Sequence, residues 1–185
     1  MKALSRILPV FVFVALSACS SSDLTLLNEV KRFEPEWTRL SSTVTTIKSN
    51  LKLTDQYDDH LKEIDPYLSD LSTSSRSDLA DMRSRYRNMM TERDSLSLRF
   101  GRELTRFEEE VTGFNNWVND LMQEKVDQST ARTTFDQYQR KYTATKEVMD
   151  QLYGRLAGNI ELHNSLMRKM ASAVNLYGNY EITVR

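Results

Sequence analysis

The sequence predicts an all-α protein, an elongated antiparallel three-helix bundle with coiled-coil-like packing. Gly and Pro are scarce, with 5 and 3 in 185 residues, which argues against turn-rich β folds and α/β enzymes. Apolar residues recur at alternating steps of three and four along three long segments, the period of an amphipathic helix. Polar stretches at residues 72–77 and 126–130 separate these segments. We therefore expect residues 24–178 to form one helical domain.

The first residues have the pattern of a secretory signal. Lys2 and Arg6 give a positive start, and residues 7–15 form an apolar run interrupted only by Pro9. The run is shorter than the roughly 18 residues that a membrane-spanning helix needs, so residues 1–18 are predicted to be a signal peptide.

The end of this signal resembles the lipobox of bacterial lipoproteins. Leu16 stands at the −3 position, the small residues Ser17 and Ala18 follow, and Cys19 occupies the +1 position. The resemblance implies cleavage before Cys19, a thioether-linked diacylglycerol on its sulfur and an acylated amine. The three acyl chains that this modification implies are more than the two membrane signals that stable anchoring requires. The alternative is a cysteine that stays free or pairs with another chain, since this is the only cysteine in the sequence.

Residues 19–23 then form a lipidated tether to the membrane. Ser20, rather than Asp, follows the cysteine, and in enteric-type proteobacteria this resembles an outer-membrane address. We expect a protein of the bacterial cell envelope, anchored in the outer membrane and facing the periplasm. Its mature part resembles small all-helical envelope lipoproteins.

Within the first helical segment, the apolar period breaks at residues 50–55 and resumes at Tyr57. Pro66 is predicted to kink or interrupt the end of this segment, because proline removes a backbone donor and clashes with the preceding turn. The apolar stripe of this segment consists of Val30, Phe33, Trp37, Leu40, Val44, Ile47, Leu51, Tyr57, Leu61, Ile64, Leu68 and Leu71.

The other two segments each contain two consecutive steps of four, centred on Phe100 and on Leu156. Such a stutter locally unwinds a coiled coil, so its partners must unwind at the same level. Folding the chain at its two polar breaks brings Phe100, Leu156 and residues 50–55 to about one level. This agreement favours an up-down-up arrangement.

Three helix boundaries can be predicted from local residue types. Ser77, and Ser129 or Thr130, are suited to N-caps because a short side-chain oxygen can accept a free backbone N–H. Gly178 is predicted to stop the last helix. Residues 179–185 form a C-terminal tail, which either frays or adds a strand to a partner's sheet through its β-prone Ile182-Thr183-Val184 run.

No recognisable catalytic, metal or cofactor motif is present in the sequence. There are two histidines, and neither His60 nor His163 follows a Glu at the spacing of a di-metal bundle, where Glu-x-x-His is needed. Charged residues make up 28% of the chain and sum to a net charge of −1, so no basic field points to nucleic acid. We expect no cofactor, no nucleic-acid partner and no enzymatic activity.

A buried polar layer is the one candidate site within the bundle. Arg93 occupies a stripe position, and the predicted topology brings Glu161, His163 and Asp55 near it. The layer could bind a ligand or fix a partner. Alternatively, Arg93 extends along the apolar surface and pairs with Glu161 or Asp55.

These observations predict a non-enzymatic, lipid-anchored helical module that contacts another envelope protein or the cell wall. The predicted binding end is the one far from the membrane, where residues 72–77 and the tail meet. One alternative is a periplasmic holdase-like chaperone that exposes methionine and aromatic surface. Another is a hydrolase whose catalytic groups are adjacent only in space.

Overall fold

The structure, a computed structural model, describes residues 21–68, 76–176, 178 and 180–184. The predicted signal peptide, Cys19 and residues 72–75 of the first polar break lie outside the described residues. The described part is helical and contains no strand, which confirms that the protein is all-α as predicted. The helices are α1 (Ser21–Leu53), α2 (Tyr57–Leu68), α3 (Arg76–Met122) and α4 (Gln128–Ala173). None of these described helices combines the length and apolarity needed to cross a membrane.

The predicted break in the first segment is a tightened turn that joins α1 to α2. Thr54–Gln56 form a 3₁₀ turn, and the flanking Leu53 and Tyr57 both keep right-handed helical angles. Thr54 is buried and its hydroxyl donates to the Leu51 carbonyl at 2.6 Å. Pro66 does not interrupt α2, which continues to Leu68. The interruption expected there is therefore wrong.

The connection between α3 and α4 differs from the predicted capping. Glu124 adopts a left-handed φ of 55°, and the Lys125 N–H donates to the Asp120 carbonyl at 2.9 Å, which satisfies a carbonyl at the end of α3. The cap of α4 is Asp127, whose carboxylate accepts from the Ser129 N–H at 2.9 Å. The predicted Ser129 and Thr130 caps are wrong, because an aspartate already satisfies this end.

The other predicted boundaries also shift by a few residues. Because α3 begins at Arg76, Ser77 lies inside its first turn rather than at its cap. Helix α4 ends at Ala173, ahead of the predicted stop at Gly178. Asn175 takes a left-handed φ of 54°, and the Leu176 N–H closes the end by donating to the Ala171 carbonyl at 2.9 Å.

Contacts between the helices follow a regular order. Along α4, successive partners on α3 have falling residue numbers: Thr145 bonds to Glu110, Arg155 to Glu92, and Asn159 to the Met89 carbonyl. Partners on α1 and α2 have rising numbers instead, as Arg132 pairs with Glu29, Tyr142 with Glu36, and His163 with His60. The Glu92–Arg155 pair places Phe100 about 14 Å from Leu156 along the axis, at 1.5 Å per residue.

The half of the molecule near the α3–α4 connection has an almost wholly aromatic core, which we call the aromatic half. Phe33 packs edge-on against Phe114, Phe135 and Tyr142, with ring centroids 5.2–5.8 Å apart. Trp117 stacks on Phe135 at 6.1 Å. The half is made of Phe33, Trp37, Phe107, Phe114, Trp117, Phe135, Tyr138 and Tyr142.

Residues 180–184 do not extend from the end of the molecule. Tyr180 and Ile182 are each only 5% exposed, while Glu181 and Thr183 between them face solvent. We call residues 180–184 the C-terminal strap. The expectations of a frayed tail and of a free strand are both wrong for these residues, because two apolar side chains at alternate positions are buried.

Candidate functional site

The histidine cluster is the most connected polar site among the described residues. It lies between α2, α3 and α4, at the opposite end of the described core from the aromatic half. His163 on α4 has no exposed surface. Its ring stacks on that of Tyr57, with centroids 3.9 Å apart and 7° between the planes. The cluster consists of Tyr57, His60, Tyr86, Asn159 and His163.

Hydrogen bonds at both ring nitrogens fix the state of His163. The Tyr86 hydroxyl lies 2.8 Å from the Tyr57 carbonyl, which can only accept, so its proton points there. The Tyr86 oxygen, 3.0 Å from His163 Nδ1, then accepts the N–H of that nitrogen. A neutral imidazole has a single N–H, so His163 Nε2 accepts from His60 Nδ1 at 3.0 Å.

Asn159 completes the cluster one turn before His163. Its Nδ2 donates to the Met89 carbonyl at 2.9 Å, and its Oδ1 accepts from the Tyr57 hydroxyl at 3.2 Å. Asn159 is 3% exposed, and burying an amide without partners is costly. The two bonds therefore connect α2 and α3 to α4 at one level and fix their relative rotation.

Burial controls how the cluster takes up protons. Desolvation lowers the pKa of His163 to about 4, the neighbouring His60 lowers it further, and a hydrogen bond to the Tyr180 backbone acts weakly in the opposite direction. Desolvation also lowers the pKa of His60, against the attraction of Glu63 and Asp59. His163 is therefore neutral at pH 7.

The same desolvation raises the pKa of the Tyr57 and Tyr86 hydroxyls well above its usual value. Both phenols therefore keep their protons at neutral pH and remain hydrogen-bond donors. With both ring nitrogens bonded, the buried His163 imidazole connects α4 to α2 and α3.

The predicted polar layer is brought together only in part. His163 is buried and the Arg93 side chain is 16% exposed, but Asp55 is 75% exposed and Glu161 lies on the exposed face of α4. Arg93 lies 3.8 Å from Asp55 and 4.0 Å from Asp58, at the edge of the cluster. Glu161 thus does not belong to a buried layer, because it points away from the core.

Four members of the cluster were missed at the level of sequence. Tyr57 and Tyr86 stand on the apolar stripes and look like ordinary core residues, and His60 and Asn159 lie off the stripes. The sequence did contain one signal for the cluster. Tyr57 and Tyr86 lie on the apolar stripes of the first and second helical segments, and His163 lies on the stripe of the third. A polar atom on each of three facing core positions needs partners, and these residues supply them to one another.

The C-terminal strap covers the cluster. Tyr180 packs edge-on against His60 at 5.6 Å, and its hydroxyl donates to Glu63 at 3.2 Å. The Asn164 side chain binds the strap backbone at both groups of Ile182, accepting from its N–H at 2.9 Å and donating to its carbonyl at 2.8 Å. The strap is therefore held by its backbone as well as by its two buried side chains.

The described residues also form concave regions outside the cluster. One, of about 490 Å³, is an open cleft between the end of α4 and the strap, with Asn164, Arg168 and Tyr180 on its walls. Another, of about 580 Å³, is a polar groove between α1 and α4 that includes Arg39 and Asp150. Within the described ranges, no group of three or more His, Cys, Asp or Glu side chains is placed to hold a metal ion.

The chain matches no protein-family model, no curated protein and no solved structure.

Proposed function

We propose that the protein is a non-enzymatic, lipid-anchored helical module of the bacterial cell envelope, which binds another envelope protein or the cell wall. The observation that carries this proposal is Leu16-Ser17-Ala18-Cys19 directly after a charged start and a short apolar run. A lipid on Cys19 would hold the chain on the outer membrane, facing the periplasm. Because α1 begins at Ser21, the helical part would start immediately at the membrane surface.

The proposed architecture is an elongated antiparallel three-helix bundle with coiled-coil-like packing, in which α1 and α2 together form the first helix. The reversed order of contacts between α3 and α4, and the same order between α1 and α4, support it. Helix α3 has 47 residues, which corresponds to about 70 Å at 1.5 Å per residue. The bundle would present a surface at that height above the membrane.

The end far from the membrane is the proposed binding end. In this arrangement the α3–α4 connection returns to the membrane side, and the start of α3 and the strap lie at the far side. Because Tyr180 and Ile182 are buried, the proposed binding element is no longer a free C-terminal tail. The partner would meet the bundle surface that carries the strap, together with the α2–α3 connection, and not a free tail.

The chaperone alternative receives no support from the methionines. Met89, Met149, Met167 and Met170 are buried in the core, so they are not available to bind unfolded chains. The large apolar side chains exposed in the described part are Tyr67, Leu98 and Met122, and they are far apart in sequence. A holdase surface would need a contiguous apolar patch.

The test of the anchor is Cys19→Ala, with Ser22→Ala as a matched control in the same tether. We expect Cys19→Ala to abolish incorporation of labelled fatty acid and to move the protein out of the membrane fraction, whereas Ser22→Ala changes neither. Membrane pelleting of both variants without label in the wild type would contradict the proposal.

The test of the module is cross-linking in intact cells with a photo-reactive residue placed at Tyr67, at the far end, or at Met122, at the near end. Both side chains are about half exposed, at 53% and 51%, so the two sites are matched. We expect an envelope protein or cell-wall fragment to be captured from Tyr67 and not from Met122. Equal capture from both sites would contradict a far-end binding surface.

A further inference from the structure

We propose that the contact between His60 and His163 is a proton-sensitive latch, which holds the C-terminal strap on α2 and α4 at neutral pH and releases it in acid. The latch belongs to the bundle itself and does not depend on the lipid anchor.

The closed contact between His60 and His163 can take up one proton but not two. His60 Nδ1 already donates to His163 Nε2, so a proton added to His60 leaves this bond in place. A proton added to His163 must go to Nε2, because Nδ1 already carries the hydrogen donated to Tyr86. Two N–H groups would then face each other across 3.0 Å between two positive rings, and the contact has to open.

The surroundings oppose the second proton more strongly than the first. Desolvation lowers the pKa of His60, and the attraction of Asp59 and Glu63 on α2 partly offsets it. His163 is fully buried among aromatic rings, and only the hydrogen bond to the Tyr180 backbone favours its charged form. Arg93 on α3 adds a positive charge at the edge of the cluster. The titratable and charged groups facing the pair are Tyr57, Asp58, Asp59 and Glu63 from α2, Tyr86 and Arg93 from α3, and Tyr180 from the strap.

The strap is the element that must move when the latch opens. Its Tyr180 ring lies against His60, and its Tyr180 backbone is bonded to His163, so it covers both rings from the solvent side. The strap is a short terminal segment, held by Asn164, by the Tyr180–Glu63 bond and by an ion pair between Arg168 and Glu181. Helices α2 and α4, in contrast, are held along their lengths by the core.

The expected effect follows from proton linkage. If only the open state binds the second proton, each unit of pH below about 6.5 raises the open fraction up to tenfold. Desolvation holds the pKa of His163 near 4 in the closed state, so the effect continues down to about that pH. We expect the protection of the strap amides against hydrogen exchange to fall at least about tenfold between pH 6.5 and 5.

The experiment is hydrogen–deuterium exchange of the full chain across this pH range, corrected for the intrinsic pH dependence of exchange. The reporter is the peptide that contains Ile182, whose N–H is bonded to Asn164. Emission from Trp37 and Trp117, both in the aromatic half, reports unfolding of the whole molecule and should stay constant. Unchanged strap protection, or loss of protection only together with a change in tryptophan emission, would overturn the proposal.

Three variants separate the latch from general acid sensitivity. His163→Gln keeps an acceptor for His60 but does not titrate, so the acid-induced loss of strap protection between pH 6.5 and 5 should shrink to the part that His60 contributes. Tyr180→Phe removes the bond to Glu63 and leaves both histidines, so protection should fall equally at every pH. His60→Asn removes one titrating ring and offers an amide oxygen that can accept from a protonated His163, so the acid-induced loss should shrink here too. An unchanged acid response in His163→Gln would refute the latch.

A measurement on the wild type covers the case in which His163→Gln does not fold. The ring nitrogens of His163 and the amide of Ile182 can be followed by NMR during the same titration. We expect one common midpoint for the two signals, because opening of the strap and uptake of the second proton are one event. Separate midpoints would show that the strap moves independently of His163.

Discussion

The aromatic half and the histidine cluster are built from the same helices, yet they satisfy their core in opposite ways. In the aromatic half, rings pack on rings, and the indole N–H groups of Trp37 and Trp117 are buried without a hydrogen-bond partner among the described residues. In the histidine cluster, each ring nitrogen of His163 has a partner, and Asn159 bonds to two helices. The first half depends mainly on burial, with one bond from the Tyr142 hydroxyl to Glu36 at its edge, and the second on a proton arrangement.

The comparison teaches that a regular apolar stripe does not imply a uniform core. Apolar packing is non-directional and insensitive to pH, so the aromatic half should resist acid. Directional hydrogen bonds fix rotation and register but fail when a single proton is added. The following predictions test this division between the two halves.

The largest effect is expected in the aromatic half. Phe114 is fully buried and meets the rings of Phe33, Trp37, Trp117 and Tyr138 at 5.4–6.1 Å. Phe114→Ala should lower the free energy of unfolding by about 3–5 kcal/mol, equally at pH 7 and pH 5, as measured by urea denaturation.

The control on the same helix is Leu98→Ala, since Leu98 is 73% exposed. That substitution should change the free energy of unfolding by no more than about 0.5 kcal/mol. A loss for Phe114→Ala that grows in acid would contradict the assignment of pH dependence to the other half.

The second effect is the pH dependence of stability. The pKa of His163 is lowered from 6.5 to about 4 in the folded state, so the unfolded state binds more protons. Stability therefore falls as the pH drops from about 6.5 towards 4, by up to about 1.4 kcal/mol per pH unit from this residue. The contribution of the neutral His163 to stability is fully present above about pH 6.5, the usual pKa of histidine.

Urea denaturation at several pH values measures this slope. The His163→Gln variant should lose the part that His163 contributes over the same window, and the slope that remains reports His60 and the carboxylates. A wild-type slope equal to that of the variant would show that His163 does not control acid stability.

The third effect is the loss of one bond in the cluster. Tyr86→Phe leaves the His163 Nδ1–H without its acceptor while the ring still packs. An unsatisfied buried donor costs about 1–3 kcal/mol, so the free energy of unfolding at pH 7 should fall by about that amount.

The matched substitution is Tyr67→Phe, because the Tyr67 side chain is 53% exposed. Its effect on the free energy of unfolding should lie within about 0.5 kcal/mol. Equal effects of the two Tyr→Phe changes would mean that the cluster's hydrogen bonds add nothing beyond packing.

The smallest effect is expected from an ion pair that joins α3 and α4. Arg155 lies 3.0 Å from Glu92, and the two side chains are 49% and 42% exposed. Exposed pairs contribute about 0–1 kcal/mol, so Arg155→Gln should lower stability by no more than that, and less at high salt. A double-mutant cycle with Glu92→Gln isolates the pair, and a coupling above about 1 kcal/mol would contradict its solvent exposure.

The sequence predicted helix content well because the apolar period is a local property. It also located the irregularity at residues 50–55, where the structure has the turn Thr54–Gln56. It named Asp55 as a partner of Arg93, and Asp55 lies 3.8 Å from it. It could not decide between Asp55 and Glu161, because a pair such as Arg93–Glu161 depends on the relative rotation of two helices. Rotation is set by the packing of all side chains along the interface, which no single segment encodes.

His60 shows a second kind of failure. It lies off the apolar stripe, yet it is half-buried because the strap covers it. The strap itself had a readable signal, since Tyr180 and Ile182 alternate with polar residues in the period of an extended segment with one buried face. The sequence does not show which surface of the helices the buried face of the strap packs against.

The bonds from Asn164 to Ile182 have a consequence for how this end of the chain tolerates mutation. Both hydrogen bonds from Asn164 go to backbone groups of the strap, so they place no demand on which side chain Ile182 carries. Selection on the strap then acts mainly through the apolar volumes at 180 and 182. It acts only weakly at position 181, where the exposed Glu181 pairs with Arg168, and at the exposed position 183. A library randomised over residues 180–183 should thus recover an alternating pattern of strongly and weakly restricted positions, with Asn164 as the one helical residue whose replacement removes the pattern.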